Sequence, residues 1–148
     1  MLPSTTPTDD ADTEPRGPDV LVFTHDGALF AVPVARVDAI IGWRAPIEVP
    51  AAAPALAGLV QHEGRVVAVA RNADGGSQQR GRVPTRIILC PTRLGVVGLP
   101  ATSTVGVKSL ALGAVVEGAV TVDTEDGPAV VVAPEALARV LAGVLPVE

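Results

Sequence analysis

At 148 residues, the chain has the length of one domain and could bury roughly two thirds of its unfolded surface. It is 48% hydrophobic but only 2% aromatic, with one Trp, two Phe and no Tyr, so its core must be built from Val, Leu, Ile and Ala. The net charge of −5 argues against a nucleic-acid partner, which calls for a basic face, and the scarcity of rings removes base stacking as well. One cysteine, Cys90, excludes an internal disulfide framework and fits a reducing compartment. The start of the chain lacks the basic residues and apolar core of a signal peptide, and no apolar run approaches a bilayer's thickness. The expectation is a cytoplasmic protein without membrane insertion.

In chain order, residues 1–18 are rich in Pro, Thr and Asp and read as a disordered acidic tail; residues 19–148 read as the folded domain. Hairpins follow. Val20 to Thr24 and Ala28 to Val34 flank His25-Asp26-Gly27, and Asp-Gly is a strong tight-turn signal. Residues Gly58 to His62 and Arg65 to Ala70 flank Glu63-Gly64. Arg86 to Cys90 and Val96 to Pro100 flank a turn ending at Gly95. Ala119 to Asp123 and Ala129 to Val132 flank Glu125-Asp126-Gly127. The strands are near-continuous Val, Ile and Leu, the pattern of strands covered on both faces.

Two segments carry a helical period instead. Val34 to Ile41 sets Val34, Val37 and Ile41 on one stripe before Gly42. The run beginning at Pro134, a first-turn position, sets Leu137, Val140, Leu141, Val144 and Leu145 on one face, as in a C-terminal helix packed on the sheets.

Catalytic chemistry is not legible. His25 and His62 are the only histidines, each at a hairpin end, and a metal site needs three or four ligands at workable spacing. Cys90 lies inside an apolar strand, where a cysteine acts as a small core residue. The glycine-rich segment from Asn72 to Arg82 lacks the strand-to-helix setting of a phosphate cradle. No cofactor, no metal and no enzymatic activity are expected.

The order of these elements resembles the CheW-like domain, the chemotaxis coupling domain. The segment LVFTHDGALFAVPVARVDAIIGW is similar to the family's opening strand, turn, strand and short helix. The Pro-rich connector IEVPAAAPALAGLV leads to Gly58. TRIILCPTRLGVVGLPATSTVGVKSL and DGPAVVVAPEALARVL resemble the later strands and closing helix. The resemblance runs from about Asp19 to Leu145 and rests on the order of elements. It implies a mainly β fold of two packed, SH3-like, five-stranded barrels with a short helix and a C-terminal helix. It also implies a non-catalytic adaptor joining chemoreceptor cytoplasmic domains to a CheA-type histidine kinase, or to another CheW-like protein. Val37 and Gly58 match family positions near the inter-barrel groove that receives the receptor's helical tip; Ile41, Gln61, His62, Glu63, Gly64, Arg65 and Arg71 complete the expected partner-binding set.

The sequence departs from the family pattern "G-x-x-N-x-R-G-x-x-x-P-V-x-D-L". Gln61 stands for its Asn, Glu63 for its Arg, Ala68 for its Pro, Arg71 for its Asp and Asn72 for its Leu. Polar, glycine-rich residues follow Arg71 where members carry a leucine-bearing helical segment, and the stretch from Leu110 to Ala119 is shorter than usual. This trimming is similar to that of the divergent CheW-like proteins of the frizzy chemosensory systems. It gives the expectation of a coupling protein that keeps its receptor and has weak or no kinase binding. An ordinary coupling protein binding both, and a structural barrel or small enzyme outside chemosensing, are the alternatives. Glu63 and Arg71 read either as solvated charges or as part of a contact surface whose partner has changed or vanished, and Gly58→Asp is expected to abolish receptor binding while leaving the fold intact.

Overall fold

The computed structural model describes residues 16–77, 83–111 and 121–142. Ten strands and one α-helix appear there: β1 (Arg16–His25), β2 (Ala28–Pro33), β3 (Ala39–Gly42), β4 (Leu56–His62), β5 (Arg65–Ala70), β6 (Arg86–Thr92), β7 (Gly95–Ala101), β8 (Ser103–Ala111), β9 (Thr121–Thr124), β10 (Gly127–Val131) and α1 (Pro134–Ala142). The strands form two five-stranded sheets, ordered β8-β1-β2-β10-β9 and β3-β6-β7-β5-β4.

The four expected hairpins are present. Asp26 and Gly27 take φ of 55° and 85°, and Glu63 and Gly64 take 51° and 80°. Two successive left-handed residues match the twist of antiparallel strands, which is why Gly follows an acidic residue at both turns. The β9–β10 turn is tied by Thr124, whose hydroxyl donates to the Gly127 carbonyl at 2.7 Å; Thr92 does the same to Gly95 in the β6–β7 turn, also at 2.7 Å.

An internal repeat underlies the topology. Phe23 pairs with Phe30 in the first hairpin, and the residues 67 further on, Cys90 and Val97, pair in the β6–β7 hairpin. Ala39 of β3 pairs with Leu89; the reciprocal pair, Gly106 and Val22, lies at the same offset of 67. The β4–β5 hairpin recurs as β9–β10 at an offset of 62, carrying Val60↔Val67 onto Val122↔Ala129. Even the parallel pairings correspond: Val130↔Phe30 matches Ala68↔Val97. Each half of the chain therefore gives a hairpin to one sheet and three strands to the other, so neither half closes a sheet alone.

Three apolar clusters follow from this exchange. Val20, Val22, Ala31, Val122 and Ala129 fill the interior of the first barrel, and their counterparts around Val60, Val67, Val69, Ile87 and Leu89 fill the second. The opposite faces of the same strands meet in a shared core containing Leu21, Phe23, Phe30, Val32, Ile88, Cys90, Val97 and Leu99. Ile87 to Cys90 and Val97 to Ala101 are buried without a break, as expected for strands covered on both faces. Phe23 and Phe30 stack with centroids 5.5 Å apart at the centre.

Several expectations change. The helix read over Val34 to Ile41 is a single 3-10 turn, Val34–Arg36, followed by β3. Val34 and Val37 do pack on the shared core, but Ile41 enters the second barrel. A short apolar run rich in β-branched residues suits either period, and the hydrogen bonds offered by β6 decide for a strand; the Asp38 amide already donates to the Leu89 carbonyl at 2.8 Å. On α1 the buried residues are Pro134, Leu137, Ala138 and Leu141, whereas Val140 is exposed; small Ala138 rather than Val140 faces the sheets. Strand β1 begins at Arg16, paired with Ala111, inside the stretch read as tail. The rest of that tail, residues 78–82, residues 112–120, and Val144 and Leu145 lie outside the described residues.

Candidate partner-binding site

The 3-10 turn carries the chain from the first barrel into the second, and Val37 closes it, half-buried on the shared core. Beside Val37 a cleft of about 180 Å³ opens, lined by Ala35, Arg36, Val37, Asp38 and Pro91. Ion pairs flank it on both sides. Arg65 donates to Asp38 at 2.8 Å. Arg36 lies 3.3 Å from Glu135 in the first turn of α1, and the same Glu135 oxygen accepts the Arg93 amide at 3.1 Å. One carboxylate thus fastens the helix to the β6–β7 turn and to the crossing between barrels.

The β4–β5 hairpin end belongs to the same barrel. A guanidinium N–H of Arg44 donates to the Gln61 carbonyl, and another lies 3.1 Å from His62 Nδ1. The other His62 nitrogen is 3.6 Å from Glu63 Oε2, with the His62 side chain 16% exposed and that of Glu63 77% exposed. Gln61, Glu63, Gly64 and Arg65 are all exposed. Of the expected set, Gln61 to Arg65 therefore lie at one barrel's hairpin end, joined by the Arg65–Asp38 pair to the cleft that Val37 lines.

The remaining three do not belong there. Ile41 packs inside the second barrel. Gly58 is buried at an irregularity in β4, where an added Cβ would stand 2.8 Å from Pro46 Cβ and closer still to the Ile47 carbonyl oxygen. It is a structural glycine beside the Ile47↔Leu59 bridge, and the expectation that Asp there leaves the fold intact is corrected. Arg71 is half-buried and turned inward, donating to the Pro54 carbonyl at 2.9 Å and the Leu56 carbonyl at 3.2 Å. Its guanidinium therefore ties the loop before β4 to the end of β5. Asn72 and Ala73 are buried as well. Asn72 donates to the Gly76 carbonyl at 3.0 Å, so the polar stretch begins as a packed turn, and no helix occurs over residues 71–77.

Sequence reading missed Arg36, Arg44, Asp38, Arg93 and Glu135. Isolated charged residues in turns give no periodic signal, and their partners lie across the chain. Cys90 is fully buried. Burial pushes its thiol up to about 12, with Arg36 pulling the other way, so the nucleophilic thiolate is not available near neutral pH. Among the described residues no three His, Cys, Asp or Glu are grouped to hold a metal ion, and no helix is long and apolar enough to cross a membrane.

The molecule is a pair of small packed barrels with a charged cleft at their crossing and an exposed hairpin end. The comparisons give the family. The model of the CheW-like domain matches residues 19–126, and the chain belongs to that family, whose members are adaptors of chemotactic signal transduction. Among solved structures, the scaffolding protein TtCheW from Thermoanaerobacter tengcongensis is similar at a TM-score of 0.69 and 16% identity, with 84% of this chain and 90% of that one covered; at that identity the likeness shows the two-barrel fold. No curated protein sequence matches.

Proposed function

We propose that this protein is a cytoplasmic, non-catalytic chemosensory adaptor that seats the helical tip of a chemoreceptor's cytoplasmic domain in the cleft beside Val37, with weakened binding of a CheA-type kinase. The carrying observation is the cleft itself. Val37 and Pro91 line it beside half-exposed charged residues, an arrangement that suits an amphipathic helix laid in a groove. Support for weakened kinase binding now rests on Glu63. It projects into solvent at the hairpin tip, where the family pattern has an arginine. An interface formed for the opposite sign loses affinity through like-charge contacts and unpaired desolvation.

A second reading, an ordinary coupling protein that binds both partners, is favoured by Arg65. That residue returns a cation to the same hairpin end, and Ile40, Val66 and Leu94 leave apolar surface exposed on this barrel. Titration calorimetry with the cognate receptor cytoplasmic fragment and with the kinase regulatory domain separates the two. Receptor binding without kinase binding, with kinase binding gained in Glu63→Arg, is the result expected. Micromolar kinase binding by the unmodified protein establishes the ordinary coupling role. Absence of receptor binding refutes both and leaves a structural role outside chemosensing.

A further inference from the structure

The internal repeat breaks at one element. Carried on at the offset of 62 that relates β4–β5 to β9–β10, the chain after β5 answers to α1, with Asn72 matching Pro134 and Gly75 matching Leu137. The two segments touch: a Cβ added at Gly75 would stand 3.6 Å from Leu137 Cδ1. Helix α1 buries Pro134, Leu137, Ala138 and Leu141 and packs on β6 and β7. Its counterpart forms no helix over residues 72–77, and the positions answering to Leu137 and Ala138 are Gly75 and Gly76, with no side chain to pack. Beside this turn a groove of about 470 Å³ runs between α1 and β10. Val130 in its wall answers to Ala68, which shares a small cavity with Ala138 and Leu141 beside α1. The groove therefore lies where the repeat calls for a second helix.

The helix itself carries a second apolar stripe toward that groove. Ala133, Ala136, Leu137 and Val140 line it, at the i, i+3, i+4, i+7 spacing of one helix face. Only Leu137 of these is buried; Ala133 and Ala136 are exposed, and Val140 is 49% exposed. Neither charged residue of α1, Glu135 or Arg139, lines the groove, and Asp74 stands exposed at its rim. Apposing another apolar helix here desolvates no charge of α1. We propose that the groove is a self-association surface, filled by the outer stripe of α1 from a second copy of this chain. Ridge and groove occur on one face, so a two-fold axis lets each Val140 enter the other copy's groove and makes the same contact twice. The alanines at 133 and 136 let the two helices approach closely. A foreign helix would match the groove but make the contact only once. The patch is smaller than that of a permanent dimer, so the association is weak and reversible. It stands apart from the receptor reading and uses none of its residues.

The test is sedimentation equilibrium of the full chain from about 5 μM to about 1 mM, the range in which a weak dimer is read. Three variants are compared after their circular dichroism and melting curves are matched to the unmodified protein. Val140→Asp puts a charge on the ridge. Ala136→Leu fills the groove while adding apolar surface. Val107→Asp alters an exposed valine on β8, away from the groove. The unmodified chain is expected to pass reversibly from monomer to dimer. Val140→Asp and Ala136→Leu should each raise the dissociation constant at least tenfold, and Val107→Asp should leave it unchanged. A chain that stays monomeric to about 1 mM overturns the proposal and leaves the groove to a helix of another protein. Dimerisation that survives Val140→Asp, or that is lost in Val107→Asp, places the contact on another face and overturns it too. Association strengthened by Ala136→Leu would mean unspecific apolar contact rather than a fitted seat, and also refutes it.

Discussion

Replacing Gly98 by alanine adds one methyl group at the tightest point of the second barrel. Gly98 is central in β7, paired with Leu89 on one side and Val69 on the other. Its added Cβ would stand 2.7 Å from Ile87 Cγ2 and 3.0 Å from Val67 Cγ1, well inside the ~3.5–4.0 Å at which carbon atoms attract. Both neighbours are β-branched and stiff at χ1, and both are buried, so neither can swing away. The first barrel shows what relief looks like. There the equivalent position is Ala31, and the counterparts of Ile87 and Val67 are the smaller Val20 and Ala129. Overpacking of this kind costs about 1–3 kcal/mol, against ~0.4–1 kcal/mol gained by restricting a glycine in the unfolded chain. Gly98→Ala is therefore expected to destabilise by about 1–2 kcal/mol, lowering Tm by roughly 2–8 °C. In a Val67→Ala background, which copies Ala129, the same substitution should be neutral or stabilising, giving a coupling of at least ~1 kcal/mol. Urea unfolding followed by the fluorescence of Trp43, the single tryptophan and itself packed on this cluster, measures all four corners of the cycle. A neutral single variant, or a cycle with no coupling, would show that the seat at Gly98 is not tight.

Gly58→Ala should be more damaging, at about 2–4 kcal/mol, because it forces a side chain against backbone at a left-handed φ; a thermal melt close to that of the unmodified protein would contradict this. Cys90 supplies a pH prediction. Its thiol ordinarily titrates near 9.0 and in the fold near 12, so between those values the unfolded chain has lost the proton that the native chain keeps. Stability is then complete below pH 9 and falls as pH rises toward 12, by up to ~1.4 kcal/mol per pH unit. Urea titrations across that range should show a steeper decline for the unmodified protein than for Cys90→Ala, and equal slopes would remove Cys90 as the cause.

The sequence by itself determined what depends on neighbours along the chain. Turn chemistry at Asp26-Gly27, Glu63-Gly64 and Glu125-Asp126-Gly127 specified hairpins whose strands are adjacent in sequence, the aliphatic composition specified the kind of core, and Pro134 specified where a helix begins. Tertiary structure decided what depends on distant partners. Strands β3 and β8 pair with β6 and β1 across long stretches of chain, so no local turn announces them, and the end of the run read as helical, from Ala39 to Ile41, took the strand form because β6 offered it hydrogen bonds. The repeat at an offset of 67 is hidden in the residues, since Phe23 answers to Cys90 and Ala31 to Gly98; what persists is register, and register exists only once strands have paired. The same holds for single side chains. Arg71 looked like a surface charge until its guanidinium met the carbonyls of Pro54 and Leu56. The ion pairs at the crossing, Arg36 with Glu135 and Arg65 with Asp38, likewise join residues far apart in sequence that meet only once the strands and the helix have packed.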